Sequence, residues 1–263
     1  DHRIKWTSSN KTAATVDENG TVTALRPIET VTITAVYKTN PALTCSWNLK
    51  ITRTKGYITK QMLDNLDLTS IKKVMITAHP DDETLWGGGH LIEGEYLVVC
   101  MTHGWNPKRR TAFEQTMRTT NDKYLILDYP DVRKTFSNGK YETDMLSTCK
   151  NAMQEDINLI LSYKKWDLIA THNPFGEYGK FLHKTISQMV TQCYNKMTNK
   201  SATLYYFGRY YNSSNKIPGE QIAPELLAIK NSMVGRYYPT AKGAIDAFGH
   251  MIPYENWLLP SEW

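Results

Sequence analysis

VMITAHPDDETLWGGG, residues 74–89, starts as an apolar run and then turns abruptly into a histidine, a proline and three acids. An unbroken apolar run of this length reads as a strand buried on both faces, the kind found in parallel sheets. Four more compact runs share its character: YLVVCMT (96–102), YLIL (124–127), DLIAT (167–171) and TLYYFG (203–208). Between them TAFEQTMRTTNDKY (111–124), STCKNAMQEDINLILSYKK (147–165) and FLHKTISQMVTQCYNKM (181–197) carry apolar residues at helical spacing. Strand alternating with helix predicts an α/β fold, a mostly parallel sheet with helices on both faces. Functional residues in such sheets gather just beyond the carboxyl ends of the strands. The acids after residue 78 stand at such an end.

The first 54 residues follow a different pattern. IKWTSS, AATVDENGTVTAL, TVTITAVY and SWNLKIT are short Thr-, Val-, Ile- and Trp-rich stretches, and ENG between two of them is a hairpin-type turn. This predicts a small all-β unit over residues 1–54 and the α/β domain over 55–263. W-x-S-S-N, A-x-V-D, G-x-V-T-A and T-x-T-I-T-A, spread over residues 4–37, resemble the group 2 bacterial immunoglobulin-like (Big) module. Members of that family carry strands ahead of the tryptophan. Five residues precede Trp6 here, so a truncated immunoglobulin-like sandwich is expected. Nothing in the module concentrates acidic or aromatic residues as a ligand site would, and it reads as a spacer.

Composition limits the function classes. The chain of 263 residues is 41% hydrophobic and 22% charged, enough to bury one large core or two unequal ones. Its net charge of +5 is spread out: seven Lys and Arg stand against four Asp and Glu over residues 1–54, and 24 against 22 over the rest. Lys108, Arg109 and Arg110 form the densest basic cluster, which as a charge run reads as a solvated loop, so no nucleic-acid partner is expected. No apolar stretch approaches the ~20 residues of a membrane span. The chain starts at Asp1 with no signal-peptide segment and reads as a mature form. Cys45, Cys100, Cys149 and Cys193 lack metal-type pairing, and three of them sit in apolar or helical patterns as small buried hydrophobes. No disulfide framework is expected.

His79 and Asp82, three apart on a segment leaving a strand, can converge on one cation while Pro80 stiffens the turn. An imidazole with a carboxylate suits zinc or a similar divalent transition metal. Asp81 would then project beside the metal's water, where a general base belongs. The plainer alternative treats the three acids as helix N-terminal residues favoured by the macrodipole. Gly87, Gly88 and Gly89 would weaken a surface helix for no gain, and suggest close packing. Catalytic zinc keeps three protein ligands and an open position. Candidates for the third ligand are His103 and His172, each just after a strand, and His183 at a helix start.

AHPDDE followed by THNPFGEYGKFLH resembles the LmbE-like or PIG-L family of metal-dependent de-N-acetylases, over residues 71–263 and including LDYPD at 127–131 and ENW near the end. The resemblance implies a Rossmann-like sheet, with His79, Asp82 and His183 as zinc ligands and Asp81 as general base. Tyr178 falls where the family has a tyrosine that holds the carbonyl oxygen. His172 becomes a supporting or loop residue and His103 a neighbour of the pocket. Two departures stand out. Lys180 replaces the histidine of G-x-Y-G-H, and an unperturbed lysine titrates near ~10.4, too high for a proton shuttle at neutral pH. The family's R-x-x-E arginine, associated with substrate binding, corresponds to Arg109 or Arg110, with Ala112 where the glutamate would stand.

The resulting expectation is hydrolysis of an N-acetylglucosamine-type acetamide in a glycan or glycoconjugate by a zinc-activated water, with Trp105 among the aromatic residues available to stack on sugar. Trp86 and Tyr210 are further candidates for that role. The alternatives are a carbohydrate esterase or other amidohydrolase, and a cell-surface carbohydrate-binding protein impaired by Lys180. Big-type modules resemble parts of exported bacterial proteins, which implies an extracellular or cell-surface setting.

Overall fold

The structure, a computed structural model, describes residues 3–134, 141–142, 144–198 and 200–263. The chain separates into two compact units, Asp1–Gly56 with Asp128–Met153, and Tyr57–Leu127 with Gln154–Trp263.

The first unit opens with β1 (Ile4–Ser8), β2 (Ala14–Val16), β3 (Val22–Ala24), β4 (Ile28–Tyr37) and β5 (Thr44–Ile51). β1, β4 and β5 form an antiparallel sheet in that order, and β2 pairs with β3 as a hairpin. The ENG turn closes as its chemistry requires: Asp17 Oδ1 accepts the N–H groups of Asn19 and Thr21 at 2.9 and 2.8 Å. Gly20 sits at φ +87°, and a Cβ there would lie 2.6 Å from the Trp6 ring. Ala13, Ala14, Val31 and Ile33 are buried here. This is the small antiparallel β start that the strand pattern predicts.

The second unit carries α1 (Lys60–Asn65), β6 (Lys73–Thr77), α2 (Asp82–Glu93), β7 (Tyr96–Thr102), α3 (Pro107–Thr120) and the start of β8 (Lys123–Tyr129). Beyond β8, β9 (Arg133–Lys134) and β10 (Tyr141–Glu142) pair as a two-stranded ribbon, and α4 (Asp144–Tyr163) follows. The chain then runs through β11 (Leu168–Thr171), α5 (Gly176–Gly179), α6 (Phe181–Lys196), β12 (Thr203–Tyr206) and α7 (Pro224–Phe248), ending past a 3-10 turn at Gly249–Met251. Five strands form one sheet in the order β12-β11-β6-β7-β8, and the pairings of β12 with β11, β11 with β6 and β6 with β7 are parallel. All seven residues of β7 are buried, as a continuous apolar run requires.

The strand order runs outward from β6 to β8 on one side and from β11 to β12 on the other. β6 and β11 are therefore neighbours whose connections leave in opposite directions, the point in open α/β sheets where ligands bind beyond the strands' carboxyl ends.

Two helix boundaries differ from the sequence reading. Asn106 caps α3 by accepting from the N–H groups of Lys108 and Arg109, so the helix begins at Pro107 rather than Thr111. Asn121 then adopts a left-handed φ of 58° and ends it, which hands Lys123 and Tyr124 to β8. The 25-residue α7, interrupted by Pro239, packs on α2 and α3 and was not anticipated from the sequence. Its fully buried Lys230 explains part of the glycine run. A Cβ on Gly88 would lie 2.9 Å from Lys230 Cγ, so α2 and α7 approach too closely for any side chain there. Lys230 Nζ pairs with Glu255 Oε1 at 2.5 Å, and Glu255 accepts the N–H groups of Gly89 and His90. These bonds offset the roughly 1 kcal/mol that each interior glycine costs a helix. All four cysteines are free, with Cys45 exposed and the others buried. No described helix is long and apolar enough to cross a membrane.

Candidate metal centre

The segment leaving β6 bends at once. Asp81 takes φ 141°, a conformation L-residues rarely adopt, and Asp82 opens α2 with Glu83 in its first turn. Non-glycine residues held there cost on the order of 1–3 kcal/mol and cluster at functional sites. The bend directs the Asp82 carboxylate back toward its own strand, where Oδ2 accepts the His79 N–H at 2.8 Å.

His79 Nδ1, Asp82 Oδ2 and His183 Nε2 form a small buried triangle. Its edges are 3.1 Å between the two nitrogens, 3.2 Å from Asp82 to His79 and 3.3 Å from Asp82 to His183. Two imidazole nitrogens and a carboxylate oxygen facing one another cannot all present bare lone pairs. A proton relieves this, and so does a metal ion. Zinc with bonds of about 2.0–2.1 Å in tetrahedral geometry sets its ligand atoms about 3.3–3.4 Å apart. The donor set and its spacing fit a divalent transition metal.

The electrostatics follow from burial and proximity. Burial raises the Asp82 carboxyl, but the charges and hydrogen bonds of His183 and His79 outweigh it and hold Asp82 well below the usual range. Burial alone would lower His183; Asp82 and Glu177 on its two sides instead push it up to about 10. Asp81 differs from its neighbour. Desolvation raises it to about 6, opposed mainly by the Arg109 guanidinium, whose Nη2 donates to Asp81 Oδ2 at 3.0 Å and to the Pro80 carbonyl at 3.1 Å. Two adjacent acids thus hold different protonation tendencies. Glu83, raised to about 7 by burial, accepts from the Asp81 N–H and from the Tyr237 hydroxyl.

The loop after β11 supplies the other wall. Glu177 is fully buried, and its Oε2 lies 3.1 Å from His172 Nδ1 and 2.5 Å from His183 Nδ1. His172 Nε2 accepts the Ala78 N–H at 2.9 Å. Asn173 ties the loop to β12 by donating to the carbonyls of Phe207 and Gly208, and its Oδ1 accepts the N–H groups of Phe175 and Glu177.

The remaining candidates lie at different distances from this centre. The Tyr178 ring stands edge-on to His183 at 5.6 Å and packs on Phe248 at 4.4 Å, with two-fifths of the residue exposed. His103 approaches His79 at 5.7 Å between ring centres, and Trp105 stacks on His103 at 6.3 Å. Arg109 is at the site, whereas Arg110 pairs with Glu114 on the exposed side of α3. Lys180 joins α5 to α6, and among the described residues its side chain has no hydrogen-bond or ion-pair partner. Trp86 is buried against Phe248, and Tyr210 meets the edges of Phe248 and His250. Sequence reasoning did not single out Glu177, Asn173 or the Arg109–Asp81 contact. The available signal was the pair of glycines around Glu177, which mark a loop bent to aim a side chain.

Residues 1–46 match the bacterial Ig-like domain (group 2) family. The chain is also 31% identical over 175 residues to "Uncharacterized protein L374" of Acanthamoeba polyphaga mimivirus, a span covering 60% of this chain and 67% of the viral protein.

Proposed function

We propose, for a chain that belongs to the same family as this mimivirus protein, a metal-dependent hydrolase that removes acetyl from N-acetylglucosamine-type units of a glycan or glycoconjugate. The observation that carries the reading is the triangle of His79 Nδ1, Asp82 Oδ2 and His183 Nε2 beyond the carboxyl ends of β6 and β11, with the Asp81 carboxylate alongside. The motifs AHPDDE and THNPFGEYGKFLH support it, since they resemble the LmbE-like or PIG-L de-N-acetylases with their Rossmann-like sheet and helices on both faces. The Ig-like module supports a secreted or cell-surface setting.

Zinc, or another divalent transition metal, would be held by these three atoms and supplies, when bound, a water of lowered pKa and a Lewis acid for the acetamide carbonyl. Asp81 takes the proton of the attacking water at a carboxylate oxygen and returns it to the departing amine, so acetate and a free amine leave. A carboxyl raised toward neutrality is suited to both transfers. Arg109, bonded to Asp81 Oδ2 and to the Pro80 carbonyl, fixes the orientation of the base. Tyr178, two-fifths exposed beside His183, would offer its hydroxyl to the carbonyl oxygen, and Lys180, two residues further on, would contribute positive charge. Trp105, with His103, offers an aromatic surface for a sugar ring.

The test is acetate release by the zinc-loaded full chain from N-acetylchitooligosaccharides and from acetylated xylan. Release from the first supports the reading. Release from xylan alone points to an esterase, and release from neither to a carbohydrate-binding role.

A further inference from the structure

His183 faces the candidate metal position through Nε2, and an imidazole can present Nε2 as a donor atom only if its remaining proton sits on Nδ1. That proton needs an acceptor inside the protein, because His183 is fully buried. Glu177 supplies it. Its Oε2 lies 2.5 Å from His183 Nδ1 and 3.1 Å from His172 Nδ1, so one carboxylate oxygen accepts from both rings. Its Oε1 accepts the Asn173 N–H at 3.1 Å, which leaves the carboxylate no room to rotate away.

The backbone is bent to make this contact. Glu177 stands at φ 52°, ψ −70°, the rare and strained γ-turn conformation, directly after Gly176 at φ +63°. Asn173 holds the bend by accepting the Glu177 N–H and donating to two carbonyls at the end of β12. Such a loop has no packing reason to turn a charged side chain inward. The inward carboxylate is met by the Asn173 N–H on one oxygen and by the two imidazole Nδ1 atoms on the other.

The same arrangement separates two stacked histidines, whose ring centres are 3.9 Å apart. His183 has Nε2 directed at Asp82 and His79. His172 has Nε2 engaged by the Ala78 N–H, so its lone pair is consumed by the backbone. With its Nδ1–H donated to Glu177, His172 has no atom left for an ion in the triangle, although His172, Glu177 and His183 themselves form a second close group of ligand-type side chains.

We propose that Glu177 is a positioning residue for the metal centre, fixing His183 as an Nδ1–H tautomer that binds through Nε2 and holding His172 out of the ligand set. This rests on the metal-dependent reading above. Carboxylates placed behind metal-bound histidines typically account for 10–100-fold in metal affinity. Glu177→Gln keeps the shape but presents an amide: either its NH2 faces two imidazole donors, or it faces the Asn173 N–H.

The experiment uses the full chain with Zn2+ in competition with a chromogenic chelator, together with 15N NMR of the imidazoles in the zinc-loaded wild type. Wild type is expected to bind one Zn2+. Its His183 should carry a proton on Nδ1 and a metal-shifted Nε2, and His172 a proton on Nδ1 with Nε2 free of metal. Glu177→Gln should bind Zn2+ 10–100-fold more weakly, and Glu177→Asp should recover part of the loss. If wild type binds no zinc, the metal-dependent reading fails, and this inference with it. If wild type binds zinc but uses His183 Nδ1 or His172 Nε2, or if Glu177→Gln binds as tightly as wild type, the positioning role alone is overturned. The spectrum of the wild type decides the question even if the variants do not fold.

Discussion

Removing one charge from the interface of α2 and α7 should destabilise the protein far more than its neutral shape change suggests. Lys230 is fully buried, and its Nζ lies 2.5 Å from Glu255 Oε1. In Lys230→Met the aliphatic stem is nearly conserved, and Glu255 keeps the N–H donors of Gly89 and His90 at 2.6 and 3.1 Å. Among the described residues it loses its one lysine or arginine partner, and His90, whose Nε2 lies 3.9 Å away, is held toward its neutral form by burial. Breaking a buried pair costs about 3–5 kcal/mol because the other charge is left uncompensated. The two remaining backbone donors place this case at the lower end, about 3 kcal/mol. For a chain of this size that corresponds to a fall in thermal midpoint of roughly 6–12 °C. Adding Glu255→Gln removes the stranded charge, so the double variant should recover about 1–2 kcal/mol relative to Lys230→Met. Urea unfolding followed by tryptophan fluorescence measures both, Trp257 being hydrogen-bonded to the Trp86 carbonyl in the same region. A loss below about 1 kcal/mol for Lys230→Met, or a double variant no more stable than the single, would refute the reasoning.

Other outcomes follow from the same geometry. Gly88→Ala should destabilise α2 although alanine is the better helix former by about 1 kcal/mol, because its Cβ meets Lys230 Cγ; a gain in stability by thermal melting would contradict the close approach. Asp82→Ala and His183→Ala should each lose zinc in metal analysis, whereas Asp81→Asn should keep it and lose at least about 100-fold in turnover; equal metal loss in all three would contradict the division of roles. Lys180→Ala should cost less turnover than Asp81→Asn, since in the proposed mechanism a cation only supplements the site while the base has no substitute; abolished activity with metal retained would make the lysine the proton donor. Burial raises Asp122 to about 7. A folded-state value above the unfolded ~3.9 makes its contribution complete at about pH 4 and lost as pH rises through about 7. The stability of wild type relative to Asp122→Asn should therefore fall by on the order of 1–3 kcal/mol over that window, and a flat difference would remove the effect from Asp122.

What could be read directly from the sequence was whatever depends on local pattern. The unbroken apolar runs at 74–78 and 96–102 are fully buried strands, because no alternation is possible when both faces of a sheet are covered. The ENG turn and the Thr- and Val-rich stretches before residue 54 identify the small antiparallel unit, since hairpin chemistry lies within a few residues. His79 and Asp82, three residues apart, also lie within reach of such local reading. Tertiary structure decided the rest. His183 reaches His79 from 104 positions away because β11 pairs beside β6, a choice of strand order that no single segment encodes. Arg109 and Arg110 are adjacent in sequence, and helical rotation about α3 alone sends one to Asp81 and the other to Glu114. Glu177 reads as an ordinary loop acid until the turn at Gly176 aims it at two buried imidazoles. A side chain's partners depend on where distant backbone segments come to rest, and for a buried carboxylate those partners determine what it can do.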